Sequence, residues 1–496
     1  MQAPIPGSCR KLDHAGTQMT PVSVETEKAG AWSSLAVLLT GNFLTILDLF
    51  IVNIALPDIQ RRLHASNGEL QLIMVAYSLT YGALLLNGAR LGDLYGRRKL
   101  FLVGMAIFAL GSLLCALAPS PWSLIGARAI QGIGAALLMP QVYASLRVLF
   151  EGDDRQRAFS VMGAVQGVAG AASQVIGGYL LVLNIGDIGW RLVFLVNLPV
   201  AFYALIAGKR MIVETRALAS PKLDLCGAVL GATALTLILL PVMVGQEHHW
   251  PWWAIVAPLL SLPMFLCFAF YEARLARRGG VPIIDISLFK KKNFVLGVLA
   301  GFLFFSTIGS FSLSLTILLQ VGLGQTALEA GTFFVPSTIA FFIGSLLSEP
   351  LAKRGEHRAL FLGMAVFAAG LLTAVLSDLA VGHYILTLSA SVILQGLGQG
   401  IVIPLLLNMI LSTVSSEEAG MASGAFSTMQ IAGSAFGVSI VGVILFSVLE
   451  HIGGTASLAH PAAKAYGEAF SIAGIYNLIA IVLGLALLAR IQMSRQ

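Results

Sequence analysis

Long apolar runs separated by short polar segments follow one another along the chain from about residue 34 onward. Fourteen of these runs approach or exceed the length of about 20 residues with which a helix crosses the hydrocarbon core of a bilayer. They lie at residues 34–56, 70–92, 99–118, 122–147, 158–183, 191–209, 224–245, 252–271, 294–320, 328–349, 359–377, 382–411, 419–448 and 469–490. The pattern predicts an all-α polytopic membrane protein with fourteen transmembrane helices.

The composition excludes a soluble protein. Hydrophobic residues make up 57% of the 496 positions, charged residues make up 11%, and the mean hydropathy is +0.87. So few charged groups cannot cover a water-facing surface at the usual density. The net charge of +6 is spread over short loops rather than gathered in one patch, so we expect no nucleic-acid partner.

No motif in the chain indicates covalent chemistry. The four cysteines are far apart and form no CxxC pair, so neither a disulfide framework nor a metal site is indicated. The chain has no GxxxxGKS/T phosphate loop, no HExxH and no GxSxG. ATP-driven transport and the common hydrolase reactions therefore have no support. We expect a protein that is not an enzyme and needs no cofactor.

Basic residues are concentrated in alternate loops. Of the 30 Lys and Arg, 24 lie in the loops on one side of the predicted membrane. The loops on the other side contain four, which are Arg61, Arg62, Arg191 and Lys464, and two more, Arg90 and Arg128, lie within helices. Loops rich in Lys and Arg stay in the cytoplasm. The distribution predicts that both termini are cytoplasmic.

The second half of the chain repeats the first. GMAIFALG at 104–111 returns as GMAVFAAG at 363–370, displaced by 259 residues, and the Gln131-Gly pair returns at Gln395, displaced by 264. A repeat with an even number of spans gives two halves of the same orientation. The predicted divisions are a disordered cytoplasmic tail at 1–33, a six-helix half at 34–210, two inserted helices with cytoplasmic linkers at 211–293, and a second six-helix half at 294–496. We expect no deep charge in the inserted helices.

Two charged residues are predicted deep inside the first half. Arg128 lies about 9 Å below the start of its run at Trp122, and Asp48 lies about 12 Å below the end of its run at Leu56, counting 1.5 Å per residue. An isolated charge is costly in a membrane and is usually functional. We therefore predict that Asp48 and Arg128 interact and couple proton movement to transport. The alternatives are a permanent ion pair that only holds helices together and an arginine that caps backbone carbonyls. The position that matches Arg128 in the second half is Val392.

The loop after the second run, ARLGDLYGRRK, is a candidate gate. Asp93 lies at a helix end, Gly96 permits a tight turn, and Arg97 and Arg98 begin the next helix. An acid beside a basic cluster is expected to form a cytoplasmic clasp that opens when the halves move. The alternative is simple anchoring of the loop by its positive charge.

Polar residues inside the later runs are candidate substrate contacts. Gln166 and Gln174 lie with Gly170, Ser173 and Gly177 on one face of the fifth predicted helix. Tight helix packing explains that face equally well. The remaining candidates are Gln131, Gln395, Gln399 and Gln430.

Four segments resemble signatures of the major facilitator superfamily, in particular its fourteen-helix drug:proton antiporter branch. LDLFIVNIALP (47–57) is similar to the first-helix signature, ARLGDLYGRRK to the loop between helices two and three, ARAIQGIGAA to the fourth-helix motif, and WRLVFLVNLP (190–199) to a further signature of the branch. The loop departs from the family at Ala89 and Leu94. The resemblance implies the major facilitator fold and associates Arg128 with proton transfer.

The fifth helix departs from the antiporter motif of this branch. The family pattern has Gly-Pro followed two residues later by Gly-Gly, whereas this chain has Ser173-Gln174 and then Gly177-Gly178. Because the motif is linked to antiport, the missing proline leaves antiport and symport open.

The function predicted from the residues and the resemblance is proton-driven efflux of amphipathic drugs or other small molecules across the cytoplasmic membrane of a bacterium. The proton gradient supplies the energy, and the partners are a small-molecule substrate and the lipid bilayer. The chain carries no signal for a periplasmic adaptor or an outer-membrane channel. One alternative is a dedicated exporter or symporter of a single metabolite, and another is a membrane sensor that does not transport.

Overall fold

The computed structural model is built from α-helices throughout the part of the chain that it describes. It describes residues 21–183, 188–215, 224–244, 251–278, 280, 282, 286–377, 384–412, 419–455 and 462–493. The helices are α1 Pro21–Leu63, α2 Asn67–Tyr95, α3 Arg97–Leu117, α4 Pro121–Leu149, α5 Gly152–Leu183, α6 Leu192–Leu195, α7 Asn197–Met211, α8 Leu225–Val244, α9 Trp252–Arg277, α10 Lys292–Ile317, α11 Ala327–Phe333, α12 Val335–Lys353, α13 Glu356–Leu376, α14 Tyr384–Leu411, α15 Ala419–Thr455 and α16 Ala462–Met493.

Among the described residues, twelve helices are long and apolar enough to cross a membrane. Helix α2 brings the number to thirteen when its two parts, which are bent by 53° between Leu85 and Asn87, are taken as one span. Helix α8 is apolar, but its qualifying stretch, Val229–Pro241, is shorter than a span. The protein is therefore an all-helical multi-span membrane protein, and the predicted count of fourteen is not established by the helix lengths.

Helix α1 begins earlier than the sequence analysis predicted. It starts at Pro21, so residues 21–33 of the predicted disordered tail are helical, whereas residues 1–20 lie outside the described part of the chain. The reason is local, because this stretch (PVSVETEKAGAWS) contains Glu, Lys and Ala, which favour helix, and it continues directly into an apolar run.

The two halves repeat the same helix packing. Helix α4 packs on α2 and α3 in the first half, as α14 packs on α12 and α13 in the second. A Cβ at Gly134 would overlap the backbone of Phe108, and a Cβ at Gly398, which is 264 residues later, would overlap the backbone of Phe367. The glycines of the sequence repeat therefore lie at matching close helix contacts in both halves.

Two seams join the halves. Helix α2 packs on α15, and α5 packs on α11 and α12. Between the seams, Asn53 Nδ2 donates to Ser312 Oγ at 3.2 Å, and Gln320 Nε2 donates to the carbonyl of Ile54 at 3.0 Å. Both bonds lie toward the end of the bundle at which α1 ends, which we call the distal end. The end at which α1 begins is the proximal end.

Helices α8 and α9, which we call the inserted pair, pack on each other beside one of these seams. Helix α8 contacts α2 from the first half and α15 from the second. The inserted pair therefore touches both halves at the place where they meet.

Candidate functional site

A set of polar side chains is enclosed within the first half. It consists of Asp48 on α1, Ser112 on α3, Arg128 and Gln131 on α4, and Asn197 at the start of α7, and each of the five is 0% exposed. We call these five residues the polar cluster. Four helices from separate parts of the sequence supply its members, so the cluster holds the first half together at its centre.

Asp48 accepts hydrogen bonds on both carboxylate oxygens. Its Oδ2 is paired with Arg128 Nη1. Its Oδ1 accepts from Gln131 Nε2 at 2.7 Å and from Asn197 Nδ2 at 2.8 Å. Ser112 Oγ lies 2.8 Å from Gln131 Nε2 and accepts from it. A buried carboxylate needs a partner charge and several donors, and the polar cluster supplies both.

Arg128 is held on several sides. Its Nε donates to the carbonyl of Ile73 at 3.2 Å, and Nη1 also donates to Gln131 Oε1 at 2.7 Å. Its guanidinium carbon lies 4.5 Å from the ring centre of Tyr77 and 5.9 Å from that of Phe194, which adds cation–π contacts. The remaining nitrogen, Nη2, is buried and has no hydrogen-bond partner within the described residues. Arg128 therefore keeps one donor ready for a further acceptor.

The matching place in the second half carries no charge. Ser310 on α10 donates to Asn477 on α16 at 2.6 Å, which parallels the contact between Asp48 on α1 and Asn197 on α7. Val392 occupies the position that matches Arg128 and is 1% exposed. Only a neutral pair remains where the first half has an ion pair, so any charge-driven step at this level belongs to the first half.

The structure brings together the two charged residues on which the sequence analysis concentrated, and it adds partners that were not named as site residues. Asn197 was noted only as part of the WRLVFLVNLP signature, and Ser112 and Tyr77 were not noted. Polar residues inside apolar runs were the available signal for Ser112 and Asn197. Nothing in the sequence alone shows that these residues point toward Asp48.

The residues of the candidate gate are bonded within their own half. Arg97 Nη2 pairs with Asp93 Oδ1 at 2.8 Å. The backbone N–H of Arg98 donates to Glu214 Oε1 at 3.1 Å, and the backbone N–H of Arg97 donates to the carbonyl of Thr215 at 3.1 Å. These bonds tie the α2–α3 turn to the segment after α7, and the sequence analysis did not identify Glu214 as a partner of this turn.

Gly96 has a backbone conformation that requires glycine. Its φ is +102°, and Gly355 at the matching turn of the second half has a φ of +136°.

We expect Gly96→Ala to lower the free energy of unfolding by about 1–3 kcal/mol, since an L-residue is strained at this φ. A Cβ would also approach the Glu214 carboxylate to 2.6 Å. Thermal unfolding in detergent measures the loss. Gly126→Ala is the control, because a Cβ there meets nothing within 4 Å. Equal unfolding temperatures for the two variants would contradict this account of the turn.

The polar face of α5 packs against α1. Gln174 Nε2 donates to the carbonyl of Phe50 at 3.3 Å, and a Cβ at Gly177 would overlap Ile54. Gln166 Nε2 donates to Asn42 Oδ1 at 3.1 Å and to Tyr143 Oη at 3.3 Å. Helix packing therefore accounts for Gln174, while a Cβ at the neighbouring Gly170 meets nothing within 4 Å and faces open space.

The other glutamines differ in exposure. Gln131 is enclosed in the polar cluster, and Gln395 is 5% exposed and donates to Ser391 Oγ at 3.0 Å within the second half. Gln399 and Gln430 are half-buried. Substrate contact by any of these residues stays a prediction.

Two cavities lie at the distal end between the halves. One, of about 630 Å³, is lined by the ends of α1 and α5 and by the segment before α11, including Asp58, Arg61 and Gln320. The other, of about 660 Å³, lies between the ends of α1, α10 and α15 and the start of α2, and includes Gln71. These volumes suit a small organic molecule.

Two matching halves in one membrane-embedded bundle, an enclosed ion pair in the first half and cavities between the halves are typical of secondary transporters with parallel repeats. The profile of the Major Facilitator Superfamily matches residues 38–438 and 297–493. The chain belongs to the Major Facilitator Superfamily, and it is a transporter rather than an enzyme.

Individual proteins agree with this assignment. The chain is 34% identical to the cephamycin export protein CmcT of Amycolatopsis lactamdurans over 91% of this chain and 92% of that protein. It is 31% identical to the multidrug resistance protein Stp of Mycobacterium tuberculosis over 83% of this chain and 75% of that protein. Among solved structures, the inward-facing, unoccupied bacterial homologue of the human lysosomal transporter Spinster superposes with a TM-score of 0.68 at 16% identity, covering 93% of this chain and 97% of that one.

Proposed function

We propose that this protein exports amphipathic small molecules across a bacterial cytoplasmic membrane in exchange for protons. The observation that carries the proposal is the enclosed ion pair of Asp48 and Arg128, which has no charged counterpart in the second half. The similarity to an export protein and to a multidrug resistance protein supports the direction of transport and a broad choice of substrate.

In the proposed mechanism Asp48 is the proton carrier. A proton on Asp48 removes its charge and frees Arg128, whose unpartnered Nη2 can then take another acceptor. Asp48 lies on α1, which also holds Asn53 and Ile54, and these two residues bond across to the second half. A change in the pairing of Asp48 therefore reaches the contact between the halves through one helix. Substrate binds between the halves, and access alternates between the two ends.

The proposal includes fourteen spans and cytoplasmic termini. Helices α2 and α8 supply the two spans beyond the twelve that qualify by length. Each is apolar and lies between two of those twelve spans along the chain. The loops predicted to be cytoplasmic contain the basic clusters at 97–99 and 290–292, which supports the orientation. Asp93, Gly96, Arg97 and Arg98 form the cytoplasmic gate in this scheme.

A dedicated exporter of one compound is the second candidate. The similarity to the cephamycin export protein extends over 91% of this chain and 92% of that protein, whose name gives a single substrate class. Symport also has one supporting observation, because α5 contains no proline at the place where the antiporter motif has one.

Dye flux in inverted membrane vesicles tests the proposed function. With the lumen acidified, we expect an amphipathic cationic dye to accumulate in vesicles that contain the protein and to leave when a protonophore collapses the gradient. An unrelated apolar drug should compete with the dye, whereas a dedicated exporter would show no such competition. Accumulation only under the opposite gradient would mean symport, and gradient-independent accumulation would reject proton coupling.

A further inference from the structure

The larger of the two distal cavities, of about 660 Å³, has a different charge environment from the smaller one. Among its described lining residues, which belong to both halves, Glu450 near the end of α15 is the one that carries a full charge. In the smaller cavity the carboxylate of Asp58 already pairs with Arg61 and Arg62. The larger cavity therefore offers a carboxylate to a cation that enters it, whereas the smaller one does not.

The basic residues of the distal end leave Glu450 without a partner in the cavity wall. Lys464 on α16 is exposed and does not line the cavity. Arg191 donates to the carbonyls of Ala116 and Ala118. The parts of the chain that connect helices at this end and lie outside the described residues contain no Lys or Arg; they are residues 184–187, 245–250, 378–383 and 456–461. The negative charge of the cavity therefore stays available to a ligand.

Gln71 supplies an acceptor to the same cavity. It is 2% exposed, and its Oε1 is buried and has no hydrogen-bond partner within the described residues. Three other polar residues of the wall are bonded, since Gln60 Nε2 donates to Asn67 Oδ1 at 3.0 Å and Ser66 Oγ accepts from the backbone N–H of Glu69 at 3.2 Å. A buried oxygen without a donor is costly. The terminal amide of Gln71 rotates about a single bond, so this oxygen can turn to the N–H of a ligand.

Aromatic rings complete the wall. Phe446 and Tyr466 both line the cavity. Tyr466 is held against Gly322, where a Cβ would approach the Cβ of Tyr466 to 2.7 Å. The face of an aromatic ring attracts a cation, a carboxylate pairs with it, and an amide oxygen accepts from its N–H. Apolar side chains that suit the body of an amphipathic molecule lie around these groups; they are Leu56, Leu70, Leu313, Ile317 and Leu449.

We propose that the larger cavity binds amphipathic organic ammonium ions, with Glu450 opposite the positive charge and Gln71 accepting from an N–H of the ammonium group. The site is separate from the polar cluster, which is formed by α1, α3, α4 and α7. A neutral or anionic molecule of the same shape lacks the charge that Glu450 pairs with, so it binds more weakly.

The site depends on the contact between the halves. A Cβ at Gly442 of α15 would lie 2.5 Å from Gln71 Oε1, so the amide of α2 packs directly on the backbone of α15. Separation of α2 from α15 at the distal end removes this part of the wall and releases the bound cation. Use of the site as the last binding place before release rests on the proposed function, but binding of an ammonium ion does not.

Protection of a cysteine from labelling tests the proposal on the full chain in nanodiscs of zwitterionic lipid. Leu449→Cys places a thiol in the cavity wall, and a membrane-impermeant maleimide labels it at about pH 8, where histidine is neutral. The protein without this cysteine gives the background. The probes share one ring system and are naphthylmethylammonium, naphthylmethyltrimethylammonium, naphthylmethanol and naphthoate. We expect naphthylmethylammonium to halve the labelling rate at the lowest concentration, because it has both the charge and the N–H.

Two variants separate the two contacts. Glu450→Gln should raise the half-protecting concentration of both ammonium compounds roughly two- to fivefold, as for an exposed ion pair, and leave that of naphthylmethanol unchanged. Gln71→Leu should raise that of naphthylmethylammonium about tenfold, as for a hydrogen bond to a charged group. The trimethylammonium compound has no N–H, so Gln71→Leu should leave its protection unchanged, which also shows that the cavity keeps its shape.

Glu349→Gln is the matched control, because Glu349 is an exposed carboxylate that pairs with Lys353 near the proximal end of α12. It should change none of the four concentrations. The proposal is overturned if naphthoate protects as well as naphthylmethylammonium, or if Glu450→Gln leaves both ammonium compounds unaffected. Equal losses for the two ammonium compounds in Gln71→Leu would reject Gln71 as the acceptor. Labelling needs neither a gradient nor export, so protection without dye flux would reject only the proposed function, and dye flux without protection would reject only this site.

Discussion

Asp48→Asn and Arg128→Gln should each abolish gradient-driven dye export and also destabilise the protein, whereas the double variant should regain stability without regaining export. Each single variant leaves one charge of an enclosed pair without its partner. Breaking a buried pair in this way costs about 3–5 kcal/mol, while replacing both charges by neutral groups is often nearly neutral. The double variant therefore separates the contribution of the ion pair to protein stability from its contribution to proton-coupled export.

Thermal unfolding and vesicle flux are both measured on the parent protein, the two single variants and the double variant. Glu349→Gln removes one member of an exposed ion pair and should change neither quantity noticeably. Gradient-driven export by the double variant would show that the pair only supports the structure and carries no proton. If the loss of stability in the double variant equals the sum of the losses in the two single variants, the two charges do not depend on each other.

The sequence predicts the ion pair because charges are rare inside apolar runs. Depth along a helix follows directly from residue counting, so Asp48 and Arg128 could be placed at a similar level. Asn197 and Ser112 could not be assigned to the same cluster in this way. They are uncharged, and their position beside Asp48 depends on how α3 and α7 rotate and pack, which a single sequence does not determine.

The repeat and the fold were predictable for a different reason. The glycines in GMAIFALG and GMAVFAAG recur because the same helix contacts occur twice, so a local motif reports a tertiary contact. The partner of the gate was not predictable. Glu214 lies in a short polar segment that resembles any other loop, and only the fold brings it to Gly96.

Gly178→Ala should strongly reduce export by separating the halves at the distal end. A Cβ at Gly178 would approach the carbonyl oxygen of Ala327 to 2.5 Å and the Cα of Leu328 to 2.7 Å, so α5 and α11 must move apart. Overpacking of this kind costs about 1–3 kcal/mol. About 1.4 kcal/mol is a factor of ten in an equilibrium, so the state with the distal end closed should become several-fold to a hundred-fold less populated.

Labelling of a cysteine introduced at Leu181, which lines the cavity between α1, α5 and α11, reports this shift. A membrane-impermeant maleimide should react faster in Gly178→Ala than in the parent protein, because the cavity is open for more of the time. Gly163→Ala is the matched control on the same helix, since a Cβ there meets nothing within 4 Å. It should leave the labelling rate unchanged and favour the helix slightly. Equal labelling rates for both variants would mean that α5 and α11 do not separate during transport, and access at the distal end would then have to change along the seam between α2 and α15.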